Sequence, residues 1–127
     1  MTENASAAKA PTDKELVFEC VDRFLDAVSH GRPWQPFGQV SQRGSLVTPL
    51  ISAFDGHEIC ALIPVRGHSE VQRRVTVKIK TIGGPNGQEW LKGSLSVVRE
   101  NEEGAPDAEG EWGVCPMSWR WLEWQED

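Results

Sequence analysis

The chain has 127 residues, enough for one domain that holds a core without metal or disulfides. Apolar residues make up 39% and charged residues 25%, the balance of a folded globular chain rather than a disordered one. The net charge of −6 argues against a general binder of nucleic acid or anionic membrane, and it fits an acidic protein that docks on a basic partner.

The opening stretch "MTENASAAKAPTDKE" has neither the basic start nor the apolar run of a signal peptide. Residues 1–11 are expected to be a disordered tail, followed by a single domain over 12–127. No stretch approaches the ~20 apolar residues of a transmembrane helix. Cys20, Cys60 and Cys115 are odd in number and far apart, and no C-x-x-C or His/Cys spacing suggests zinc. They read as reduced, buried thiols of a cytoplasmic protein, with no metal or cofactor implied.

A helix is predicted over about 13–30. Thr12 and Glu15 have the T-x-x-E spacing of a capping box. Leu16, Val17, Cys20, Val21, Phe24, Leu25 and Val28 recur at three-to-four spacing. His30 suits the negative end of the helix dipole, and Gly31 and Pro33 stop the helix. Residues 31–45 are rich in glycine, proline and polar side chains. They read as a loop pinned by Trp34, Phe37 and Val40.

Residues 48–56, "TPLISAFDG", have two readings. Thr48 and Pro49 can start a short helix that Gly56 ends, or Asp55-Gly56 can turn a hairpin. The helix is preferred because Pro49 would interrupt a paired strand.

From residue 58 the period becomes that of strands. "EICALIPV" is a short apolar run. "RRVTVKIKTI" alternates, with Val75, Val77 and Ile79 on one face and Arg74, Thr76, Lys78 and Lys80 on the other. "GGPNG" at 83–87 is a turn. "EWLKGSLSVVRE" places Leu91, Leu95 and Val97 on one face across Gly93. "NEEGAPDAEGE" at 101–111 is an acidic loop, expected to be mobile at its tip. "WGVCPMSWRWLEW" then reads as one closing strand. The fold class expected is α+β: an N-terminal amphipathic helix and a short second helix packed on a curved antiparallel sheet of three to four strands.

Function is to be sought on the sheet face away from the helices. The tryptophans, four of six within residues 112–124, either fill the core or line an interface, where Trp is over-represented. Trp90, Trp119 and Trp121 are the candidate contacts. Arg74, Lys78, Lys80 and Lys92 form a basic stripe that can meet an anion, although the net charge makes nucleic acid an unfavoured partner. Glu100, Glu102, Glu103, Asp107, Glu109 and Glu111 can imitate phosphates. Asp55, His57 and His68 are the residues for acid–base chemistry at a cavity. The sequence has no G-x-S-x-G, P-loop or H-E-x-x-H motif.

The order of "ELVFECVDRFLDAVSHG", then "RRVTVKIKTIGG" and "EWLKGSLSVVRE", then a Trp-bearing last strand resembles the cone-shaped, cystatin-like superfamily of nuclear transport factor two. The resemblance spans about residues 13–124. It implies a helix-backed curved sheet, and its members include isomerases, dehydratases and non-catalytic binding or dimerisation modules. Two classes of function are therefore expected. The first is a non-enzymatic interaction protein that binds a protein partner or a second copy of itself, as an inhibitor or accessory subunit does, through the Trp/Lys face and the acidic loop. The second is a small-ligand pocket protein or enzyme with Asp55, His57 or His68 at the cavity.

Overall fold

Thr12 starts the helix as its spacing predicts. In the computed structural model its Oγ1 accepts the Glu15 backbone N–H at 3.2 Å, and the Glu15 carboxylate accepts the Thr12 N–H at 2.8 Å. Helix α1 runs Asp13–Ser29. Gly31, at φ +68°, turns the chain out of it. The Arg32 N–H reaches the Ala27 carbonyl at 2.8 Å and the Gly31 N–H the Val28 carbonyl at 3.2 Å. This Schellman ending needs the left-handed backbone that glycine adopts most readily. The structure describes residues 10–44, 49, 54–65, 70–82 and 90–122. The expected tail up to residue 9, most of 48–53, the 83–87 turn, His68 and Trp124 lie outside them.

The apolar stripe of α1 buries Val17, Val21, Phe24 and Leu25 completely. Each such side chain contributes about 1.5–3 kcal/mol relative to exposure. It packs on an antiparallel sheet of β1 (Phe54–Pro64), β2 (Gln72–Thr81), β3 (Trp90–Glu100), β4 (Glu111–Val114) and β5 (Arg120–Trp121). The order is β1-β2-β3-β4, and β5 also pairs with β3. Val75, Val77, Ile79, Leu95 and Val97 form the inner face against the helix, all completely buried. The fold is α+β, with one α-helix among the described residues.

The loop after α1 adds a second cover to the core. Trp34 is buried and meets Phe24 edge-on at 5.9 Å. Two 3-10 turns, Gln35–Phe37 and Val40–Gln42, carry the chain past β4. There the Gln39 N–H bonds the Val114 carbonyl at 2.9 Å. At the end of the inner face where α1 begins, the guanidinium groups of Arg73 and Arg99 lie 5.3 and 5.2 Å from the Trp112 ring. Asp13 pairs with both, at 3.9 and 3.6 Å.

Two expectations are corrected. Phe54, Asp55 and Gly56 are neither the end of a short helix nor a hairpin turn, because they open β1. Phe54 is buried in the core, and the pairing with β2 slips between Phe54 and Gly56, which absorbs Asp55 as an irregularity at the strand's start. The tryptophan-rich segment is two strands and not one. Val114 to Trp121 spans seven steps of chain facing only the four steps from Val97 to Gly93. The excess folds into a turn at Cys115–Ser118. Pro116, which has no N–H to give a ladder, is buried there. The Ser118 hydroxyl takes over the missing pairing by accepting the Ser96 backbone N–H at 2.8 Å.

Candidate functional site

Alternation along β2 and β3 sends the even-numbered residues to the outer face, away from α1. Strand register arranges them in rows. Ile63, Arg74 and Ser96 form one row, and Ala61, Thr76, Ser94 and Arg120 the next. Glu58, Lys78 and Lys92 follow, then Gly56, Lys80 and Trp90. Ile82 continues the alternation just past β2 and is 60% exposed. Leu122, whose N–H bonds the Lys92 carbonyl at 2.8 Å, borders the same end and is exposed. Trp90 is 43% exposed. Lys78, Lys80, Lys92 and Trp90 thus come together as the alternation implies, joined by Arg120, Ile82 and Leu122.

Arg74 lies at one side of this face in a structural role. Its guanidinium donates to Ser94 Oγ at 2.8 Å, Ser96 Oγ at 2.6 Å and the Ser118 carbonyl at 2.9 Å. It straps β2 across β3 to the Cys115–Ser118 turn. Burial, and next the charge of Arg120, lower its pKa from the usual guanidinium value. In the sequence it is indistinguishable from the lysines of its stripe, because its acceptors lie 20, 22 and 44 residues away.

The tryptophans divide between the faces. Trp119 is only 6% exposed, and its ring occupies the inner-face space that a side chain at position 93 would fill, with Cε2 2.7 Å from where a Cβ would stand. Trp119 is therefore a core residue, made possible by Gly93. Trp121 pairs with Gly93, stacks edge-on against Trp119 at 4.9 Å and is 53% exposed. It emerges on the side opposite Trp90. The expected single surface of Trp90, Trp119 and Trp121 thus reduces on the outer face to Trp90. The indole N–H groups of Trp112 and Trp119 are buried without a hydrogen-bond partner among the described residues.

The acidic segment lies at the other end of β3, roughly 33 Å from Trp90 at the usual rise per strand residue. Glu100 is buried and accepts from Gln39 Nε2 at 2.8 Å, the Ser41 N–H at 2.9 Å and Ser41 Oγ at 3.0 Å. It anchors the 39–43 loop. Internal hydrogen bonds hold the 101–110 loop. Asn101 Oδ1 accepts the N–H groups of Glu103 and Ala105, and Asp107 Oδ1 accepts that of Glu109. Glu111 pairs with Arg43. Glu102, Glu103 and Glu109 remain exposed, and Glu102 and Glu109 border a hollow of about 560 Å³.

The acid–base candidates are placed differently. His57 Nε2 meets Asp22 Oδ1 of α1 at 2.7 Å, and its ring lies edge-on to Phe54. Asp55 is exposed at the start of β1. Two further hollows, of about 380 and 460 Å³, adjoin at Arg23, Pro36 and Phe37 between α1 and the loop that follows it. None of the three hollows is lined by Asp55 or His57. Cys20 borders one of them. Its thiol donates to the Phe37 carbonyl at 3.3 Å, and burial, then the charge of Glu111, pushes its pKa up to about 12. Cys20, Cys60 and Cys115 are unpaired. Among the described residues no three His, Cys, Asp or Glu side chains are gathered to hold a metal ion. No helix among them is long and apolar enough to cross a membrane.

Compared with protein-family models, curated proteins and solved structures, the chain matches none of them.

Proposed function

We propose that this chain is a non-enzymatic interaction protein that docks a protein partner through the outer face of its sheet. The observation that carries this reading is the exposed Trp90, set among Ile82, Leu122, Lys80 and Lys92 on the face opposite α1. A half-exposed indole beside apolar and cationic side chains is the composition of an interface anchor. The pocket-enzyme reading finds support in the His57–Asp22 contact, since histidine against a carboxylate is a common acid–base pair. The docking reading is preferred because Trp90 is an exposed anchor on the outer face, whereas the His57 side chain is only 12% exposed. Kinship with the cone-shaped cystatin-like superfamily is proposed on the same order of elements, one amphipathic helix followed by an antiparallel sheet.

The test is a parallel capture. Wild-type chain and Trp90→Ser are immobilised and exposed to lysate of the source organism, and the retained proteins are quantified by mass spectrometry. The expected result is at least one stoichiometric partner on the wild type that Trp90→Ser loses while its unfolding midpoint is unchanged. Identical captures on both chains would overturn the reading.

A further inference from the structure

We infer that the partner docked by the outer face is an acidic polypeptide segment bearing an apolar side chain. The inference rests on the docking reading and adds the chemistry of the partner. Register sets Lys78 directly opposite Lys92, and Lys80 occupies the next outer-face position on β2. Arg120 adds a fourth cation one row away, close enough to Arg74 to influence its ionisation. Glu58, opposite Lys78, is the acid that register places in these rows. Lys80, Lys92 and Arg120 therefore give this face a cationic character in a chain whose net charge is −6. Charge complementarity favours an anionic group seated among them. Trp90, Ile82 and Leu122 lie at the same end and offer apolar area that a bare anion leaves unused.

Two other occupants fit less well. Single-stranded nucleic acid is gripped by successive stacked aromatics along a positive groove, whereas among the described residues the outer face presents one exposed indole, and the chain as a whole repels a polyanion. The acidic segment of a second copy is partly spent on its own fold. Glu100 is buried on Gln39 and Ser41, Glu111 is paired with Arg43, and Asp107 caps a turn.

The experiment titrates the intact chain into a short fluorescein-labelled peptide of Asp and Glu around a central Leu-Phe pair, read by anisotropy at low and at physiological salt. The same peptide with Asn and Gln in place of its acids, and a labelled oligothymidylate, run beside it. The acidic peptide should bind with an affinity that falls as salt rises. Lys80→Glu/Lys92→Glu should weaken it about tenfold, the size expected when two exposed ion pairs are reversed, with an unchanged circular dichroism spectrum. Equal, Trp90-dependent binding of the amide peptide would overturn the acidic partner and leave the docking reading standing. Tighter binding of the oligothymidylate would assign the face to nucleic acid. Self-association abolished by Lys80→Glu/Lys92→Glu would assign it to a second copy. If no probe binds, the inference falls, and the capture comparison of wild type with Trp90→Ser decides separately whether docking falls too.

Discussion

Gly93→Ala isolates the contact that buries Trp119. A methyl group at position 93 points to the inner face and overlaps the six-membered ring of Trp119. Its nearest neighbours are ring carbons of a rigid indole wedged against β3, not the loose end of a flexible chain. Overpacking of this kind costs about 1–3 kcal/mol. For a domain of this size that lowers the melting temperature by roughly 3–10 °C. The assay is a double-mutant cycle by urea unfolding, with wild type, Gly93→Ala, Trp119→Leu and the pair. In the Trp119→Leu background the ring is gone, so the alanine penalty should vanish, and alanine's backbone advantage over glycine, about 0.5–1 kcal/mol, should emerge as a gain. If Gly93→Ala is neutral in the wild-type background, or costs the same with and without the indole, the packing argument is wrong.

Ser118→Ala removes the hydroxyl that accepts the Ser96 N–H and should cost about 1–3 kcal/mol in urea unfolding, because that buried donor is left without its partner. Cys20, with its pKa at about 12, should resist maleimide at pH 8 in the folded chain while exposed Cys60 is labelled first; mass spectrometry of peptides from a timed reaction reads the order. Equal labelling rates would show that the Cys20 thiol is not shielded. The Glu15 carboxyl is held below its ordinary value, chiefly by the Thr12 backbone N–H and then by the Thr12 side chain. The unfolded chain therefore binds the extra proton as pH falls. The cap's contribution should be complete above the unfolded carboxylate range and lost as pH falls from there through the lowered folded value. Glu15→Gln, which removes the titrating carboxyl, should flatten that part of the stability-versus-pH curve, and an unchanged slope would refute the linkage. Glu100→Ala should release the 39–43 loop, seen as faster hydrogen exchange at the Ser41 amide, whose acceptor is removed; unchanged exchange would assign that protection to other contacts.

What was legible in the sequence was local. The capping box and the Gly31 stop involve residues within five positions of one another, and the apolar stripe of α1 repeats at three-to-four spacing, so pattern alone placed the helix to within a residue. The alternation of β2 and the lysine face likewise followed from period two. The misread parts depend on partners far along the chain. Phe54 joins a strand because β2 and the core receive it. Arg74 and Glu100 look like surface charges until Ser118 and Ser41 are brought beside them. His57 meets Asp22, 35 residues away. Pro116 confines "WGVCPMSWRW" to a sheet edge or an irregular stretch, and the chain turns there. The division of the tryptophans between faces then followed from the length of that turn.

The join between β4 and β5 also decides how the sheet is protected from other molecules. β3 has β2 along one flank, and β4 and β5, within residues 111–121, cover most of the other. A chain cut before residue 111 would keep the helix and the β1–β2–β3 meander, yet its most deeply buried strand would become a bare margin. Val97 and Leu95 would stand next to unpaired N–H and carbonyl groups ready to recruit further strands. The last described residues therefore act as a guard against polymerisation, and the Ser118 hydroxyl keeps that guard continuous where the backbone pairing lapses.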